Sequence, residues 1–368
     1  MDWPDFSVQE MCSLSVEGSG LRRSAIIPPD AQGEGFDAAY DWTTLWYDAV
    51  QRDQEVLLVC PKLLNFKAMI ADGALRLDGA PARVRRVEAW RRHDIVHLRG
   101  AAGRTVATSA GRWSGESGVS PDQSGIFAGL NASLHISRNN RLEWIADWAR
   151  FHIGEHGLEA MLVMDNGSDD YAPEAVLDAL AQTGLKRAVV LKVPHPYGPV
   201  RAKKGGGGAK FLQPAMLNLA RLRFLYRARA VLNADLDELV WSGAGSVFDA
   251  TVSSRFGFLA FDGKWRMPPL GLEPPHVHAD HIHERVGDKP CPSKYCIVPG
   301  GWRRGIGWDV HRPETKLPVK WLRDARFGYW HCRGITTNWK SYNRLGFTEV
   351  GPADPFTASK LLDRLPRA

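Results

Sequence analysis

From residue 131 onward, apolar runs of strand length alternate with segments of helical periodicity. The runs NASLHIS (131–137), AMLVMDN (160–166) and AVVLKV (188–193) are typical of strands. RLEWIADWARFHIGEHG (141–157) and PEAVLDALAQTG (173–184) carry apolar side chains at helical spacing and end in glycine. Repeated β-α units imply parallel strands. The sequence therefore predicts an α/β fold, a mainly parallel sheet with helices on both faces.

The remainder of the chain divides by pattern into flanking regions. Residues 1–36 are rich in Pro, Gly and Ser, which predicts a loosely structured lead-in. Short β-like runs separated by turn residues predict a small β-rich module of antiparallel strands over residues 37–128. We expect the α/β domain to cover residues 129–345 and a C-terminal tail to cover 346–368.

Carboxylates follow two of the predicted strands. Asp235, Asp237 and Glu238 lie within VLNADLDELVW (231–241), and Asp165 ends the run at 160–166. Ligands of parallel sheets bind beyond the carboxyl ends of the strands, so both sets belong at the same edge. Unpaired burial of these carboxylates is costly, which leaves a metal ion, a basic side chain or water as their partner.

The spacing of Asp235 and Asp237 favours a metal site. Strand residues two apart share a face, and carboxylate oxygens at that spacing suit Mg²⁺ or Mn²⁺ bound together with a diphosphate. For an Asp-x-Asp alone, a strand that simply ends in a polar loop is the better interpretation. The second strand-end carboxylate, Asp165, favours a functional site.

Charge and cysteine content indicate the partners and the compartment. The net charge of +6 and the pI near 9.1 favour anionic partners. Nucleic acid is not among the expected ones, because no helix-turn-helix, zinc-finger or RNP-like motif is present. Five cysteines without a CxxC pair fit a reducing compartment. We expect a cytoplasmic protein, with peripheral association at the inner face of the membrane through its basic groups.

Four histidines are concentrated in HVHADHIHE (276–284). Alternating histidines on a strand can bind a transition metal, but no cysteine lies at zinc-finger spacing from them. The sequence predicts a solvent-facing or acceptor-binding loop here.

Several stretches between residues 131 and 345 can be compared with known families. They are SRNNRLEWIADWARFHIGEHGLEAMLVMDNGSDD (137–170), the helix with Gln213, NADLDELVW (233–241), SKYCIVPG (293–300), Val310-His311 and YWHCRGITTNWKSY (329–342). Together they resemble metal-dependent glycosyltransferases of the GT-A fold, in particular the group like glycosyltransferase family 92 (glycosyltransferase family 2-like). Asn140 stands where the family has Glu, and Cys332 replaces an aromatic residue.

This resemblance implies a hexosyltransferase-like activity in polysaccharide biosynthesis. A sugar would move from a nucleotide-sugar donor, with a UDP-sugar as the first expectation, to a glycan or polysaccharide hydroxyl with inversion. The resemblance implies that Asp235, Asp237 and His331 hold Mn²⁺ or Mg²⁺. The donor-binding residues that it implies are Arg138, Asn139, Asp165, Gln213, Asp235, Lys294 and Arg333.

Inverting transfer requires a positioned base that takes the proton of the acceptor hydroxyl. Three carboxylates after the Asp-x-Asp motif are candidates: Glu284, Asp309 and Asp262.

Two alternative functions stay open. A non-catalytic carbohydrate-binding protein on the same fold would bind glycan without Mn²⁺. Phosphatases of the haloacid dehalogenase type also place Asp-x-Asp behind an apolar strand, but they expect Thr or Val two residues after the second Asp, where Leu239 stands.

Overall fold

The structure, a computed structural model of the 368-residue chain, forms two compact units. Unit 1 comprises Met1–Gln9, Ile126–Lys192 and Leu225–Ala368, and unit 2 comprises Glu10–Gly125 and Val193–Phe224. Within the described ranges, no helix combines the length and apolar character needed to cross a bilayer. The residues described are 4–71, 73–100, 103–199, 206–287, 290–315, 317–318, 321–335 and 346–365.

Unit 1 is built on one ten-stranded mixed sheet. Strands are numbered β1–β20 and helices α1–α7 along the whole chain. Across the sheet the order is β1 (Phe6–Gln9), β14 (Arg187–Lys192), β13 (Ala160–Asp165), β12 (Asn131–Ser137), β15 (Ala230–Asn233), β19 (Cys291–Ile297), β17 (Phe258–Met267), β20 (Arg323–Cys332) and β16 (Glu238–Ser242), with β18 (His283–Glu284) paired to β17.

Parallel pairing dominates one side of this sheet. The five strands from β1 to β15 in the spatial order all pair in parallel. Beyond them, β19 runs antiparallel to both β15 and β17, while β20 pairs in parallel with β17 and antiparallel with β16. The predicted α/β fold with a large, mostly parallel sheet is confirmed.

The helices of unit 1 are α3 (Leu142–His156), α4 (Pro173–Ala181), α6 (Val247–Ser253) and α7 (Pro355–Arg364). The apolar face of α3 joins the main core through Ile145, Trp148 and Phe151. Strand β13 is buried at every position, which explains its unbroken apolar run. Helix α3 ends because Gly157 adopts φ 69° and donates its N–H back to the last turn.

Unit 2 contains two four-stranded antiparallel sheets, ordered β4-β5-β9-β8 and β11-β10-β6-β7, and the pair β2-β3. The antiparallel strands expected in this region are therefore present. The elements are β2 (Leu14–Ser15), α1 (Phe36–Ala39), β3 (Thr44–Trp46), β4 (Asp48–Arg52), β5 (Glu55–Pro61), α2 (Lys67–Ile70), β6 (Leu75–Leu77), β7 (Ala80–Pro81), β8 (Arg83–Ala89), β9 (His93–Arg99), β10 (Thr105–Ala110), β11 (Trp113–Gly118) and α5 (Leu212–Ala220).

The expectation of a loosely structured lead-in was wrong. Strand β1 adds to the parallel side of the main sheet, with Phe6 opposite Ala188 and Gln9 opposite Leu191. Arg23 is buried in unit 2 and donates to the backbone carbonyls of Asp41 and Lys62, among others. Backbone pairing to a sheet edge depends little on side-chain composition, so a Pro- and Gly-rich composition did not reveal it.

The two units also depart from the predicted domain limits. Residues 193–224 belong to unit 2, because Phe211 packs with Phe36 and Tyr40, and Arg223 forms a buried ion pair with Asp48 at 2.8 Å. The expected C-terminal tail belongs to unit 1, since it carries α7, whose Leu361 lies in the main core.

Candidate functional site

Two carboxylate-bearing strand ends lie at one edge of the main sheet. Strand β12 pairs in parallel with β13 on one side and with β15 on the other, so all three strands end at the same edge. Asp165 is the last residue of β13, and Asp235 follows the end of β15 by two residues. Two inter-strand steps separate β13 from β15, which places their axes about 10 Å apart. The predicted convergence of Asp165 with the Asp-x-Asp motif on one edge is therefore present.

Residues 235–238 form a tight turn between β15 and β16. The Glu238 N–H donates to the Asp235 carbonyl at 2.9 Å, and the Asp235 N–H donates back to Glu238 Oε2 at 2.8 Å. Trp148 on α3 donates its indole N–H to the Glu238 carbonyl at 2.8 Å. The carboxylates therefore project from a backbone that is held in place on both sides.

Buried histidines of the segment 276–284 form hydrogen bonds with the backbone of this turn and with Arg333 after β20. His278 Nε2 donates to the Leu236 carbonyl at 2.8 Å, and His281 Nε2 donates to the Arg333 carbonyl at 2.7 Å. Both rings are fully buried, and burial lowers the pKa of each to about 4. His276 is buried as well. The expectation of a solvent-facing loop was wrong for these three residues, because all three side chains are buried and the rings of His278 and His281 donate to backbone carbonyls inside the unit.

Lys294 is the cation that accompanies two of the carboxylates. Its Nζ lies 2.8 Å from Asp235 Oδ2 and 3.0 Å from Glu238 Oε2, and its side chain is only 1% exposed. Burial acts to lower the pKa of Lys294, but the two carboxylates hold that pKa above its ordinary value. Burial raises the pKa of the Glu238 carboxyl, and Lys294 opposes this effect. Of the three partners considered from the sequence, a basic side chain occupies this position.

The third carboxylate, Asp237, faces His331 on β20. His331 Nε2 lies 3.0 Å from Asp237 Oδ2, and His331 Nδ1 lies 4.0 Å from Glu238 Oε1. One ligand atom from each of these three residues lies within 4.8 Å of the others. The residues meet because Glu238 and His331 are directly opposite each other in the antiparallel β16-β20 pair.

The chemistry of this donor set fits a divalent cation. Carboxylate oxygens suit both Mn²⁺ and Mg²⁺, and an imidazole ligand is typical of transition-metal ions, so the mixed set favours Mn²⁺ over Mg²⁺. Lys294 pairs with Asp235 and Glu238, while Asp237 faces an imidazole, so a divalent ion would add positive charge beside Asp237 and Glu238. Trp265 stacks on the His331 ring, with 3.8 Å between centroids and 14° between planes, and so restricts the orientation of the imidazole.

Asp165 sits beneath the loop that follows β13. The Ser168 hydroxyl donates to its Oδ1, and the Ser168 N–H lies 3.3 Å from both carboxylate oxygens. Asn139 adopts φ 53°, a left-handed conformation that Asn tolerates, and accepts the Asp169 N–H on its side-chain oxygen at 2.9 Å. Hydrogen bonds that involve Asp165 and Asn139 thus connect the loop after β12 to the loop after β13.

The three candidate bases lie in different settings. The Asp309 carbonyl accepts the Tyr295 hydroxyl at 2.9 Å and the Asn233 amide at 3.4 Å, so its segment lies against β19, which carries Lys294, and against β15, which precedes Asp235. Asp262 is exposed and pairs with Arg323 at 3.3 Å.

Glu284 is exposed on the short strand β18, opposite Arg266 of β17. In the part of the chain that the structure describes, no hydrogen bond or ion pair joins Glu284 to the cluster around Asp237.

The remaining predicted donor-binding residues lie on separate elements of the chain. Gln213 lies on α5 in unit 2, where its Oε1 accepts the Tyr197 hydroxyl at 2.9 Å. Arg333 follows β20, and its N–H donates to the Arg266 carbonyl at 2.9 Å. Arg138 is exposed just after β12.

Glu238 and Trp265 also lie at the site, although no role was predicted for them from the sequence. Glu238 was visible as the last member of Asp-Leu-Asp-Glu, but only its pairing opposite His331 places it in the donor set. Trp265 lies opposite His331 in the parallel β17-β20 pair, a register that the sequence pattern does not report.

In comparison with known proteins, the chain matches no protein-family model and no curated protein.

Proposed function

We propose that this chain is a metal-dependent glycosyltransferase of the GT-A type. It would transfer a sugar from a nucleotide-sugar donor to a glycan hydroxyl, with inversion. The observation that carries the proposal is the grouping of Asp237, Glu238 and His331 within 4.8 Å, at the sheet edge where Asp165 also ends a strand. An ion held by these three residues would bind the diphosphate end of a nucleotide, and Asp165 would bind its nucleoside end.

In this proposal Asp237 and His331 hold Mn²⁺ or Mg²⁺, with Glu238 as the third donor. When bound, the ion supplies positive charge that offsets the charge developing on the departing nucleotide diphosphate. Lys294 keeps Asp235 and Glu238 in fixed positions through its two ion pairs. Asp235 is 47% exposed, so it can face a ligand while it remains paired with Lys294.

Asp165 and the loop tied to it would bind the nucleoside. Its carboxylate already accepts hydrogen bonds from Ser168, which fixes its orientation toward a base or ribose donor. Uridine is the first nucleoside to test.

Asp309 is the best placed of the three candidate bases. Its segment contacts Asn233 and Tyr295, which neighbour Asp235 and Lys294 in the sequence. A carboxylate at that place can take the proton of an acceptor hydroxyl while the hydroxyl attacks the sugar. The acceptor is proposed to be a glycan, and association with the inner membrane surface stays part of the proposal.

A thermal-shift screen tests this function directly. UDP, GDP, CDP and their sugars are each added with Mn²⁺ or with EDTA, to the wild-type chain and to the isosteric variant Asp237→Asn. A ligand at 100 times its Kd stabilises the folded state by about 2.7 kcal/mol. We expect one nucleotide to raise the melting temperature only with Mn²⁺, and Asp237→Asn to lose this response.

Asp249→Asn is the matched control, because Asp249 is an exposed carboxylate on α6 that pairs with Arg229 at 2.6 Å. It should respond to nucleotide as the wild type does. A chain that no nucleotide stabilises, or an Asp237→Asn variant that responds fully, contradicts the proposal. Glycan binding that persists in EDTA would then favour the carbohydrate-binding alternative, and phosphate release from an aryl phosphate would favour the phosphatase.

A further inference from the structure

A polar cleft lies at the end of β16 opposite to the carboxylate turn. Its volume is about 310 Å³, and Glu155, residues 242–246, Lys360 and Arg364 line it. Strand β16 begins at Glu238 and ends at Ser242, so about 13 Å of extended chain separates the two places. The cleft is therefore a different site from the one proposed to bind the nucleotide sugar.

Two cations of α7 converge on one buried carboxylate in this cleft. Glu155 is only 2% exposed; its Oε1 accepts from Lys360 Nζ at 2.5 Å and from the Ser242 N–H at 3.0 Å. Its Oε2 accepts from Arg364 Nε at 3.2 Å. Burial acts to raise the pKa of Glu155, but these donors hold that pKa below its ordinary value. The carboxylate is ionised, and the two cations leave the cleft with one net positive charge.

Hydrogen-bond donors remain available around that charge. Arg364 uses only Nε on Glu155, and in the described residues its two terminal guanidinium nitrogens make no other hydrogen bond. The same holds for the backbone N–H groups of Gly245 and Ser246, in a turn of small residues that leaves the backbone accessible. A planar guanidinium with open donors beside free amides matches the oxygens of a phosphoryl group.

The position of Arg364 depends on a glycine in α3. A Cβ added at Gly154 would lie 2.8 Å from Arg364 Cδ and 3.5 Å from its Nε. The arginine stem therefore lies directly against the helix backbone, in space that only glycine leaves open. Glycine inside a helix is less favourable than alanine, so the helix keeps this close approach at a cost to its own stability.

We propose that this cleft binds a phosphoryl group, held by Arg364, Lys360 and the amides of Gly245 and Ser246. The phosphoryl group belongs either to a small soluble phosphate or to the headgroup of an anionic lipid. The site does not depend on the proposed transferase reaction.

Isothermal titration with inorganic phosphate in EDTA tests the proposal on the full chain. The wild type should bind with a Kd of about 1 mM or tighter, equivalent to about −4 kcal/mol. The double variant Glu155→Gln/Arg364→Gln removes one cation together with its carboxylate, so no buried charge is left alone. Its affinity should fall at least tenfold.

Gly154→Ala is the second variant, because it displaces Arg364 without changing any charge and favours the helix. It should weaken phosphate binding while circular dichroism shows a folded chain. Lys186→Gln is the control, since Lys186 is an exposed lysine of unit 1 paired with Glu159 at 2.6 Å, and it should bind as the wild type does.

Cosedimentation with phosphatidylcholine vesicles, with and without phosphatidic acid, separates the two sources. Binding that requires phosphatidic acid identifies a lipid headgroup, and binding of free phosphate alone identifies a soluble ligand. The absence of saturable binding to either probe overturns the proposal. Equal affinity in the wild type and in both cleft variants overturns it as well.

Discussion

Replacement of Lys294 by Met should destabilise the chain more than any surface substitution. The change removes the ammonium from between Asp235 and Glu238 and leaves Glu238, which is only 3% exposed, without its cation. Removal of one partner from a buried ion pair costs about 3–5 kcal/mol. Because Asp235 is half exposed, we expect the lower end, about 3 kcal/mol. For a domain of this size that corresponds to a fall in melting temperature of about 6–12 °C.

The pH dependence of this loss identifies its cause. Without Lys294, the folded-state pKa of Glu238 lies further above its unfolded value, so the folded state binds the additional proton as pH falls. Lys294→Met should therefore lose less stability at pH 5 than at pH 8. Adding Glu238→Gln should recover most of the loss, since it removes the unpaired charge and keeps an acceptor for the Asp235 N–H. Urea unfolding followed by tryptophan fluorescence measures the wild type and both variants.

A Lys294→Met variant within about 0.5 kcal/mol of the wild type, which is the range of ordinary surface changes, would contradict this prediction. A double variant that is no more stable than Lys294→Met alone would contradict it as well.

Three further predictions concern the surroundings of the carboxylate turn. Trp265→Ala removes the ring stacked on His331 and should raise the Mn²⁺ concentration needed for nucleotide stabilisation, whereas Trp265→Phe should preserve it; a Mn²⁺ titration of the thermal shift compares them. Gly263→Ala should lower the free energy of urea unfolding by about 1–3 kcal/mol, because the added Cβ would overlap the Tyr329 ring. His278 is neutral when folded, with its pKa lowered to about 4, so its contribution to stability is lost as pH falls from about 6.5 toward 4. His278→Gln should reduce the slope of stability against pH in that window by up to one proton, and an unchanged slope would contradict the assignment.

Local pattern was sufficient to predict the strands and helices around the site. Helix α3 and strand β13 follow directly from apolar spacing and from the glycine stop at Gly157, because these signals lie within one element. The shared edge of Asp165 and Asp235 followed from one further rule, that parallel strands end on the same side.

The partners of the carboxylates could not be predicted from local pattern. Lys294 is 59 residues from Asp235, and His331 is 94 residues from Asp237. These contacts depend on the register of β19 and β20 within the sheet. Side-chain periodicity indicates which face of a strand a residue is on, but not which residue of the next strand lies opposite it. For the same reason the sequence did not predict that residues 193–224 belong to unit 2, since the ion pair Arg223–Asp48 joins residues 175 positions apart.

The division of the carboxylates between Lys294 and His331 gives the two aspartates of the motif different roles. Asp235 pairs with Lys294, while Asp237 belongs to the donor set with Glu238 and His331. If the proposed metal site is correct, Asp237→Asn should abolish the dependence of nucleotide stabilisation on Mn²⁺. Asp235→Asn should weaken nucleotide binding but keep that dependence, because the three metal donors remain. Mn²⁺ titrations of the thermal shift in the two variants separate these outcomes, and an identical loss in both would mean that the aspartates act as one ligand pair.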